Sequence, residues 1–434
     1  MRTILFALAI AAKFTALGQG HDLVGYWHNW NDGSAPYIQL DAIDPRYTVI
    51  EIAFAEPQAG TTYDMVFTPS GTAQGTFVAQ VADLQAQGKK VLISIGGANA
   101  TVQLANIAQR DDFISSVLAI IATYGFDGID IDLEGASVSS TGGTIATPVD
   151  GNIIRLIEAI EAIGDQFQIT YGTPMMLTMA PETAYVQGGM SAFGGIWGAY
   201  LPIIDALRDR ISILQVQLYN SGSMYGIDGG IYTQGTADFI VSQTEAVLQG
   251  FNTAGGAFAP LPPEKVAIGL PACPSAAGGG YVSPAVLASA VDYLRGTGPQ
   301  PGSYVRVSTY PTLRGLMTWS INWDAVSTCA SAYEYAQSFE DIFDINTSTP
   351  AMGPAPALTF QPTVVAAGST IWITGATLPQ KVELFDMSGR IALAAVSVDG
   401  QVTIPQGLPT GSYAIRIHPP TGSPVSSRVA LVVP

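Results

Sequence analysis

Aliphatic and acidic residues alternate in one segment of this chain: Phe126-Asp127-Gly128-Ile129-Asp130-Ile131-Asp132-Leu133-Glu134. Side chains alternate along a β-strand, so Asp130, Asp132 and Glu134 share one face and three aliphatic residues share the other. If the aliphatic face packs on helices, three carboxyl groups point inward about 7 Å apart. Like charges that close cannot all ionise cheaply, so some should keep a proton. Folding alone requires no such arrangement, and perturbed carboxyls of this kind mark functional sites.

Eight short apolar runs recur along the chain, with starts roughly 25 to 55 residues apart. They are LVGYWHNW from Leu23, TVIEIAFAE from Thr48, KVLISIGG from Lys90, GIDIDLE from Gly128, MMLTMAPE from Met175, SILQVQLYN from Ser212, KVAIGLPA from Lys265 and GLMTWSINWD from Gly315. The spacing leaves room for a crossover helix each time, and helical patterns such as DDFISSVLAIIATYG lie between the runs. The sequence predicts an α/β fold, a (β/α)8 TIM barrel over residues 21–344. A doubly wound open sheet is the alternative.

The two ends of the chain depart from this pattern. Residues 1–20 have Arg2, an apolar run interrupted by Lys13 and then small residues, which predicts a signal peptide; an ordinary N-terminal helix is the alternative. Residues 345–357 are rich in Pro, Ser and Thr, as linkers are. Residues 358–434 contain only short strand-like runs separated by turn residues, which predicts a small all-β sandwich.

Composition limits the partners of this chain. Its formal net charge of −17 should repel nucleic acid and anionic lipid. No stretch after the N-terminus has the ~18 apolar residues of a membrane span. Three histidines and two separated cysteines show no ligand spacing, so we expect no metal and no cofactor. The mature chain is expected to be a secreted, extracellular or cell-surface monomer.

The two cysteines lie after neighbouring predicted strands. Cys273 closes the seventh run and Cys329 follows the eighth. Adjacent barrel strands are about 4.8 Å apart, so the loops at their C-terminal ends are neighbours. In an exported protein this favours a disulfide between the two residues.

The acidic strand also indicates a chemistry. A carboxyl that is still protonated near neutral pH suits general-acid cleavage of a glycosidic bond. The Asp-x-x-Asp-x-Asp-x-Glu run, with Ser94-Ile95-Gly96-Gly97 ending the third strand, resembles glycoside hydrolase family 18. Gln217-Leu218-Tyr219-Asn220 on the sixth strand and Trp319 on the eighth also match that family. The resemblance covers residues 21–343, with its elements in family order.

The resemblance implies a role for each of five residues. Glu134 matches the acid that protonates the leaving oxygen. Asp132 matches the carboxylate that orients the substrate's own N-acetyl group, whose carbonyl oxygen attacks the anomeric carbon. Tyr219 matches the hydroxyl bonded to that acetyl group, Asp130 the buried partner of Asp132, and Trp319 the aromatic floor beneath the sugar. Family members of this kind retain configuration and need neither a protein nucleophile nor a metal.

Polar or aromatic residues near strand ends are further candidates for binding the sugar chain: Gln217, Asn220, Ser94, Tyr26, Glu182 and Trp30. Polar groups inside a barrel need partners, and a hydroxyl-rich ligand supplies them. His28 is more typical of a rim or core histidine than of a base, because no Ser or Cys nucleophile accompanies it.

The C-terminal segment shows a second resemblance. The runs VELFDMSGR from Val382 and LPTGSYAIRI from Leu408 are similar to sorting domains of type IX secretion, over residues 358–434. The last seven residues contain one basic residue, Arg428, where that family usually has more. A carbohydrate-binding module is the alternative, although it would require several coplanar aromatic residues.

Together these patterns predict an endo-acting chitinase for β-1,4-linked N-acetylglucosamine polymers. An endo-β-N-acetylglucosaminidase acting on N-glycans can share the acidic motif, and a chitin-binding lectin can share the barrel. Endo attack is expected because only about 40 residues separate Ala272 from Gly315. The barrel's own seventh helix, predicted over 283–294, occupies much of that stretch, which leaves too little chain for an inserted domain that would deepen the cleft.

Overall fold

The computed structural model describes residues 20–31, 33–326, 331–343, 359–361, 364–366, 368–374, 381–386, 390–397, 401–418 and 425–432. The predicted linker, nearly all of the predicted signal peptide and Cys329 lie outside these residues. The chain divides into two compact units, Met1–Ile345 and Asn346–Pro434.

Eight parallel strands form the central sheet of the first unit. In chain order they are Asp22–His28, Val49–Pro57, Lys90–Gly96, Gly128–Asp132, Met176–Met179, Ile213–Leu214, Ala267–Pro271 and Gly315–Trp319. The first six pair in chain order, and the eighth lies between the seventh and the first. Single bridges from Leu214 to Val266 and from Gln217 to Gly269 join the sixth strand to the seventh and nearly close the ring. The predicted TIM barrel is confirmed, and the open doubly wound sheet is wrong.

The sixth and eighth apolar runs are strands over only part of their length. Regular pairing in the sixth covers Ile213–Leu214, and single bridges continue it as far as Gln217. The eighth strand ends at Trp319, because the hydroxyl of Ser320 caps a short helix that begins at Ile321. An N-terminal cap of this kind satisfies a helix N–H that has no partner within the helix.

Eight α-helices are described, all in the first unit: Gln74–Ala86, Ile107–Tyr124, Gly151–Tyr171, Leu201–Leu207, Ala237–Gln249, Pro284–Arg295, Ile321–Asp324 and Glu334–Phe343. The helix Ile107–Tyr124 ends at Gly125, whose φ of 73° is a left-handed conformation that glycine adopts without steric cost. The predicted seventh barrel helix is confirmed as Pro284–Arg295, with proline in the first turn, where its missing N–H is not needed. None of the helices described has the length and apolar character that crossing a membrane requires.

Shorter elements occupy the connections. The 3-10 helices are Leu40–Ala42, Gly135–Ser137, Thr183–Tyr185, Gln187–Met190, Pro263–Lys265 and Pro274–Ala276. Met65–Val66 pairs with the end of the second barrel strand, and two hairpins pair Ser223–Tyr225 with Ile231–Thr233 and Phe251–Thr253 with Gly256–Phe258.

Apolar residues pack on both sides of the barrel wall. Ile129, Ile131 and Leu133 of the acidic strand belong to the outer cluster between strands and helices. A smaller cluster fills part of the interior: Val24, Tyr26, Val49, Ala53, Leu92, Ala180, Ile213, Ala267 and Met317. The alternation inferred from the sequence therefore sends the aliphatic face outward and the acidic face into the barrel.

The second unit contains two antiparallel-rich sheets. One consists of Thr359–Gln361, Thr370–Thr374 and Gln401–Thr403, and the other of Val364–Ala366, Lys381–Phe385, Ile391–Val396, Gly411–His418 and Val425–Val432. Residues of both sheets share one hydrophobic cluster, which includes Ile371, Val402, Leu384 and Ile415. This arrangement agrees with the predicted small all-β fold.

Candidate active site

The register of the barrel places small and polar residues beside the acidic strand. Asp130 pairs with Ser94 on the third strand and with Thr178 on the fifth. Asp132 pairs with Gly96, whose φ is 109° and where a Cβ would lie 2.4 Å from the backbone oxygen of Asp132. Only glycine allows the two strands to approach this closely at that position.

Asp130 is fully buried and surrounded by hydroxyl groups. Tyr26 Oη and Ser94 Oγ each donate a hydrogen bond of 2.7 Å to its Oδ2. Thr178 Oγ1 lies 2.7 Å from its Oδ1. Burial raises the pKa of Asp130, while the hydrogen bonds from Ser94, Tyr26 and Thr178 oppose that rise because they stabilise the charged form.

A second buried carboxyl, Glu51, comes from the second barrel strand. Its exposed fraction is 0%. Gln215 Nε2 lies 2.6 and 2.8 Å from its two carboxyl oxygens, and Thr178 Oγ1 lies 2.7 Å from Oε1. Burial, and then the negative charge of Asp130, raise the pKa of Glu51 well above its ordinary value. Glu51 was not proposed from the sequence. A signal was available, because Glu51 is a carboxyl in a largely apolar strand, two residues before Ala53 and on the same face of the strand.

Asp132 and Glu134 share one hydrogen-bond donor. Gln217 Nε2 lies 2.8 Å from Asp132 Oδ1, 3.1 Å from Glu134 Oε1 and 2.9 Å from the carbonyl oxygen of Ala180. Burial, followed by the charges of Glu134 and Asp130, raises the pKa of Asp132 well above its ordinary value. Asp132 also hydrogen-bonds to Glu134, so this pair can hold one proton between its two carboxyls.

Two further titratable groups lie close to Glu134. Burial, and then the charges of Asp132 and Glu134, raise the pKa of Tyr219 well above its ordinary value, so its hydroxyl remains a donor. Burial and the charge of Glu134 also raise the pKa of the half-buried Glu182, against a backbone hydrogen bond from Gly135.

Above these groups lies a pocket with a volume of about 480 Å³, which is within the usual range for small-ligand sites. Its lining residues are Trp30, Phe54, Glu56, Gly96, Gly97, Ala98, Asn99, Asp132, Glu134, Gln217, Tyr219, Asn220, Ala276 and Trp319. Trp319 and Phe54 are stacked, with ring centroids 5.8 Å apart and planes 11° apart. Aromatic faces beside acidic groups suit a sugar ring, which has apolar C–H faces and polar edges.

Sequence comparison identifies the family. Residues 22–341 match the model of Glycosyl hydrolases family 18, which is most of the chain. The chain belongs to this family.

Named chitinases are among its family 18 relatives. Chitinase Chi52 of Paenibacillus xylanexedens is 48% identical over 310 residues, which cover 70% of this chain and 58% of that protein. Exochitinase 1 of Streptomyces olivaceoviridis is 42% identical over 347 residues, which cover 74% of this chain and 56% of that protein. The chain thus spans little more than half the length of these relatives.

A solved structure supports the same family 18 fold. The crystal structure of a family GH18 chitinase from Chromobacterium violaceum aligns with a TM-score of 0.67 and 37% sequence identity. The alignment covers 75% of this chain and 83% of that one.

Within this family 18 barrel, the residues proposed from the sequence fall into two layers. Those in the pocket lining are Glu134, Asp132, Tyr219, Gln217, Asn220, Trp319 and Trp30. Asp130, Tyr26 and Ser94 are buried outside that lining, and the hydroxyls of Tyr26 and Ser94 bond to Asp130. Glu182 is half-buried beside Glu134 but outside the lining.

His28 and Cys273 have their own surroundings. His28 is 1% exposed, stacks on Trp30 with ring centroids 4.4 Å apart, and lies 2.7 Å from the hydroxyl of Ser320. These contacts agree with a core histidine. Cys273 is buried and disulfide-bonded. Its predicted partner Cys329 lies outside the described residues.

Several pocket residues were missed by reasoning from the sequence. Phe54 and Glu56 follow Glu51 in the second strand, and Asn99 follows the third. Their position at the C-terminal ends of barrel strands, where barrel active sites form, was an available signal. Among the described residues, no three His, Cys, Asp or Glu side chains are grouped as ligands for a metal ion.

Proposed function

We propose that this chain is an endo-acting chitinase that cleaves β-1,4-linked N-acetylglucosamine polymers with retention of configuration. The observation that carries the proposal is the pair Asp132 and Glu134, which share Gln217 as a donor at the edge of an aromatic pocket. The chitinase names of the relatives support the substrate class.

The geometry suggests how the reaction would run. Glu134 gives its proton to the leaving glycosidic oxygen as the C–O bond breaks. The carbonyl oxygen of the substrate's N-acetyl group attacks the anomeric carbon and forms a cyclic intermediate. Asp132 accepts a hydrogen bond from the N–H of that acetyl group, and the Tyr219 hydroxyl donates a hydrogen bond to its oxygen. Water then opens the ring and returns a proton to Glu134, which gives a β product.

Endo attack is supported by the connection between the seventh and eighth strands. All residues from 272 to 314 are described, and they contain a 3-10 helix and the helix Pro284–Arg295. This connection contains no β-strand and no separately packed domain that would wall the pocket. A polymer can therefore enter sideways and bind by an internal segment.

Substrate selection tests the proposed function. The protein would be incubated separately with N-acetylglucosamine oligomers and with a high-mannose glycoprotein, and products would be measured by mass spectrometry. Shortening of the oligomers supports a chitinase. Release of the N-glycan alone would indicate an endo-β-N-acetylglucosaminidase, and binding of oligomers without products would indicate a lectin.

We further propose that the protein is exported and that its second unit is a type IX sorting domain. The two runs that carry the resemblance include all but one residue of each of the strands Lys381–Phe385 and Gly411–His418, which pair with each other. Tyr413 of the second run donates a hydrogen bond of 2.9 Å to the carbonyl oxygen of Pro409. Removal of residues 346–434 should prevent export but leave hydrolysis of soluble oligomers intact. Normal export with weakened chitin binding would favour a carbohydrate-binding module.

A further inference from the structure

The hydroxyl of Thr178 connects two buried carboxyl groups across the barrel interior. Its Oγ1 lies 2.7 Å from Glu51 Oε1 and 2.7 Å from Asp130 Oδ1. The three residues come from the second, fourth and fifth barrel strands, and each has an exposed fraction of 0%. The cluster is therefore closed to bulk solvent.

Counting hydrogens shows that one carboxyl must be protonated. A threonine hydroxyl has one hydrogen and can donate to only one of two acceptors. Both distances are nonetheless those of normal O–H···O hydrogen bonds. The second contact is therefore attractive only if the other carboxyl carries a proton and donates it to Thr178 Oγ1. Two ionised carboxylates in this position would repel each other at low dielectric.

The surrounding donors identify which carboxyl is charged. Asp130 receives O–H bonds from Tyr26 and Ser94, which stabilise its anion. Besides Thr178, Glu51 has the weaker amide donor of Gln215 and a share in the hydroxyl of Tyr26, whose 2.7 Å bond goes to Asp130.

Burial and the neighbouring negative charges oppose ionisation of Glu51. The titratable groups that face it are Tyr26 on the first strand, Asp130 and Asp132 on the fourth, and Tyr219 on the sixth. None of these four groups is positively charged. The hydrogen bond from Tyr26 favours the charged form of Glu51, but burial and the charge of Asp130 outweigh it.

We propose that Glu51 is a positioning residue for the reaction: it remains a neutral acid, donates to Thr178 and so directs the Thr178 hydrogen onto an ionised Asp130. The inference rests on the proposed function in one respect. The negative charge of Asp130 raises the pKa of the neighbouring Asp132 and so favours a proton there, where Asp132 hydrogen-bonds to Glu134.

The first test needs no substrate. Burial raises the pKa of Glu51 in the folded protein. Its contribution to stability is then fully present below the unfolded pKa near 4.3 and is lost as pH rises toward the folded value. Glu51→Gln removes this titration. Urea unfolding of the parent and of E51Q between pH 4.5 and 8 should show that the parent loses stability relative to E51Q as pH rises.

A matched control and a contrary outcome define this test. Glu264→Gln makes the same chemical change at an exposed site and is the control against which E51Q is compared. If the stability differences of E51Q and of E264Q from the parent follow the same course with pH, Glu51 ionises normally and the proposal fails. Failure of the proposed function would not affect this measurement, because no substrate is present.

The second test measures kcat/KM as a function of pH with N-acetylglucosamine oligomers. The quantity compared is the pH at the midpoint of the acid limb. Thr178→Val removes a donor from Asp130, so Asp130 ionises at higher pH and the limb should move up by about half to one pH unit. Thr178→Ser keeps the hydroxyl, so its acid limb should lie at the same pH as that of the parent. In E51Q the amide replaces the acid as donor to Thr178, so the limb should stay within about 0.3 pH unit of the parent.

A shift of the acid limb in E51Q as large as that in Thr178→Val would overturn the proposal, because it would mean that Glu51 itself ionises in that pH range. If Thr178→Val does not fold, the unfolding comparison of E51Q decides alone.

Discussion

Gln217 Nε2 lies 2.8 Å from Asp132 Oδ1, and the same nitrogen lies 3.1 Å from Glu134 Oε1. An amide nitrogen has two hydrogens, so one side chain can serve both carboxyls at once. The same nitrogen lies 2.9 Å from the carbonyl oxygen of Ala180, so three acceptors share its two hydrogens. The two carboxyls on which the proposed chemistry depends are thus positioned by a residue from another strand.

Replacement of Gln217 tests this positioning. Gln217→Met keeps the length of the side chain but removes a donor to charged groups, an interaction worth about 1.5–3 kcal/mol. If that stabilisation is gained between the bound substrate and the transition state, kcat with chitin oligomers should fall roughly 10- to 100-fold. Gln168→Met, an exposed helix position, is the control. A Gln217→Met enzyme with the parent kcat would show that the amide does not position the pair.

Replacement of Glu134 tests the assignment of the acid. Glu134→Gln preserves shape but has no acidic proton, so turnover should fall by about 10²–10⁴, the usual contribution of general acid–base catalysis. Binding of chitin oligomers, measured by calorimetry, should persist because the aromatic pocket is unchanged. Glu264→Gln serves as the control. Near-normal turnover in Glu134→Gln would refute the assignment.

The substrate's N-acetyl group is the proposed nucleophile, which makes the reaction depend on it. Fully deacetylated chitosan should not be cleaved, because its amine cannot form the cyclic intermediate. NMR of the products from N-acetylated oligomers, recorded before mutarotation, should show the β anomer first. Early appearance of the α anomer would exclude this mechanism.

The proposed endo attack has a signature in viscosity. Cuts within a chain shorten the polymer quickly, so the viscosity of a soluble chitin derivative should fall steeply while few reducing ends appear. A slow fall with disaccharide released from the start would mean exo or processive action. The Streptomyces relative is named an exochitinase, so the same measurement shows whether this chain attacks the polymer differently from what that name states.

Much of the fold and part of the site could be predicted from the sequence because the information is local. Alternation along residues 128–134 separates aliphatic from acidic side chains within one strand, whatever the strand's neighbours are. The spacing of the eight apolar runs predicts the barrel, and Gly125 and Pro284 mark helix ends by their backbone preferences.

The layers within the barrel could not be predicted, because they depend on the register between strands. Alternation says that Tyr26 and Ser94 point inward, but not that both lie at the depth of Asp130, beneath the pocket. Depth is determined by how far each strand is displaced along its neighbours, and a strand's own sequence does not encode that displacement.

The barrel, its acidic strand and the family resemblance could thus be read from local sequence. That Glu51 and Asp130, 79 positions apart, share the hydroxyl of Thr178 is visible only in the folded protein. A buried carboxyl's charge depends on the donors and charges around it, and here these come from separate strands that only the folded barrel brings within 3 Å.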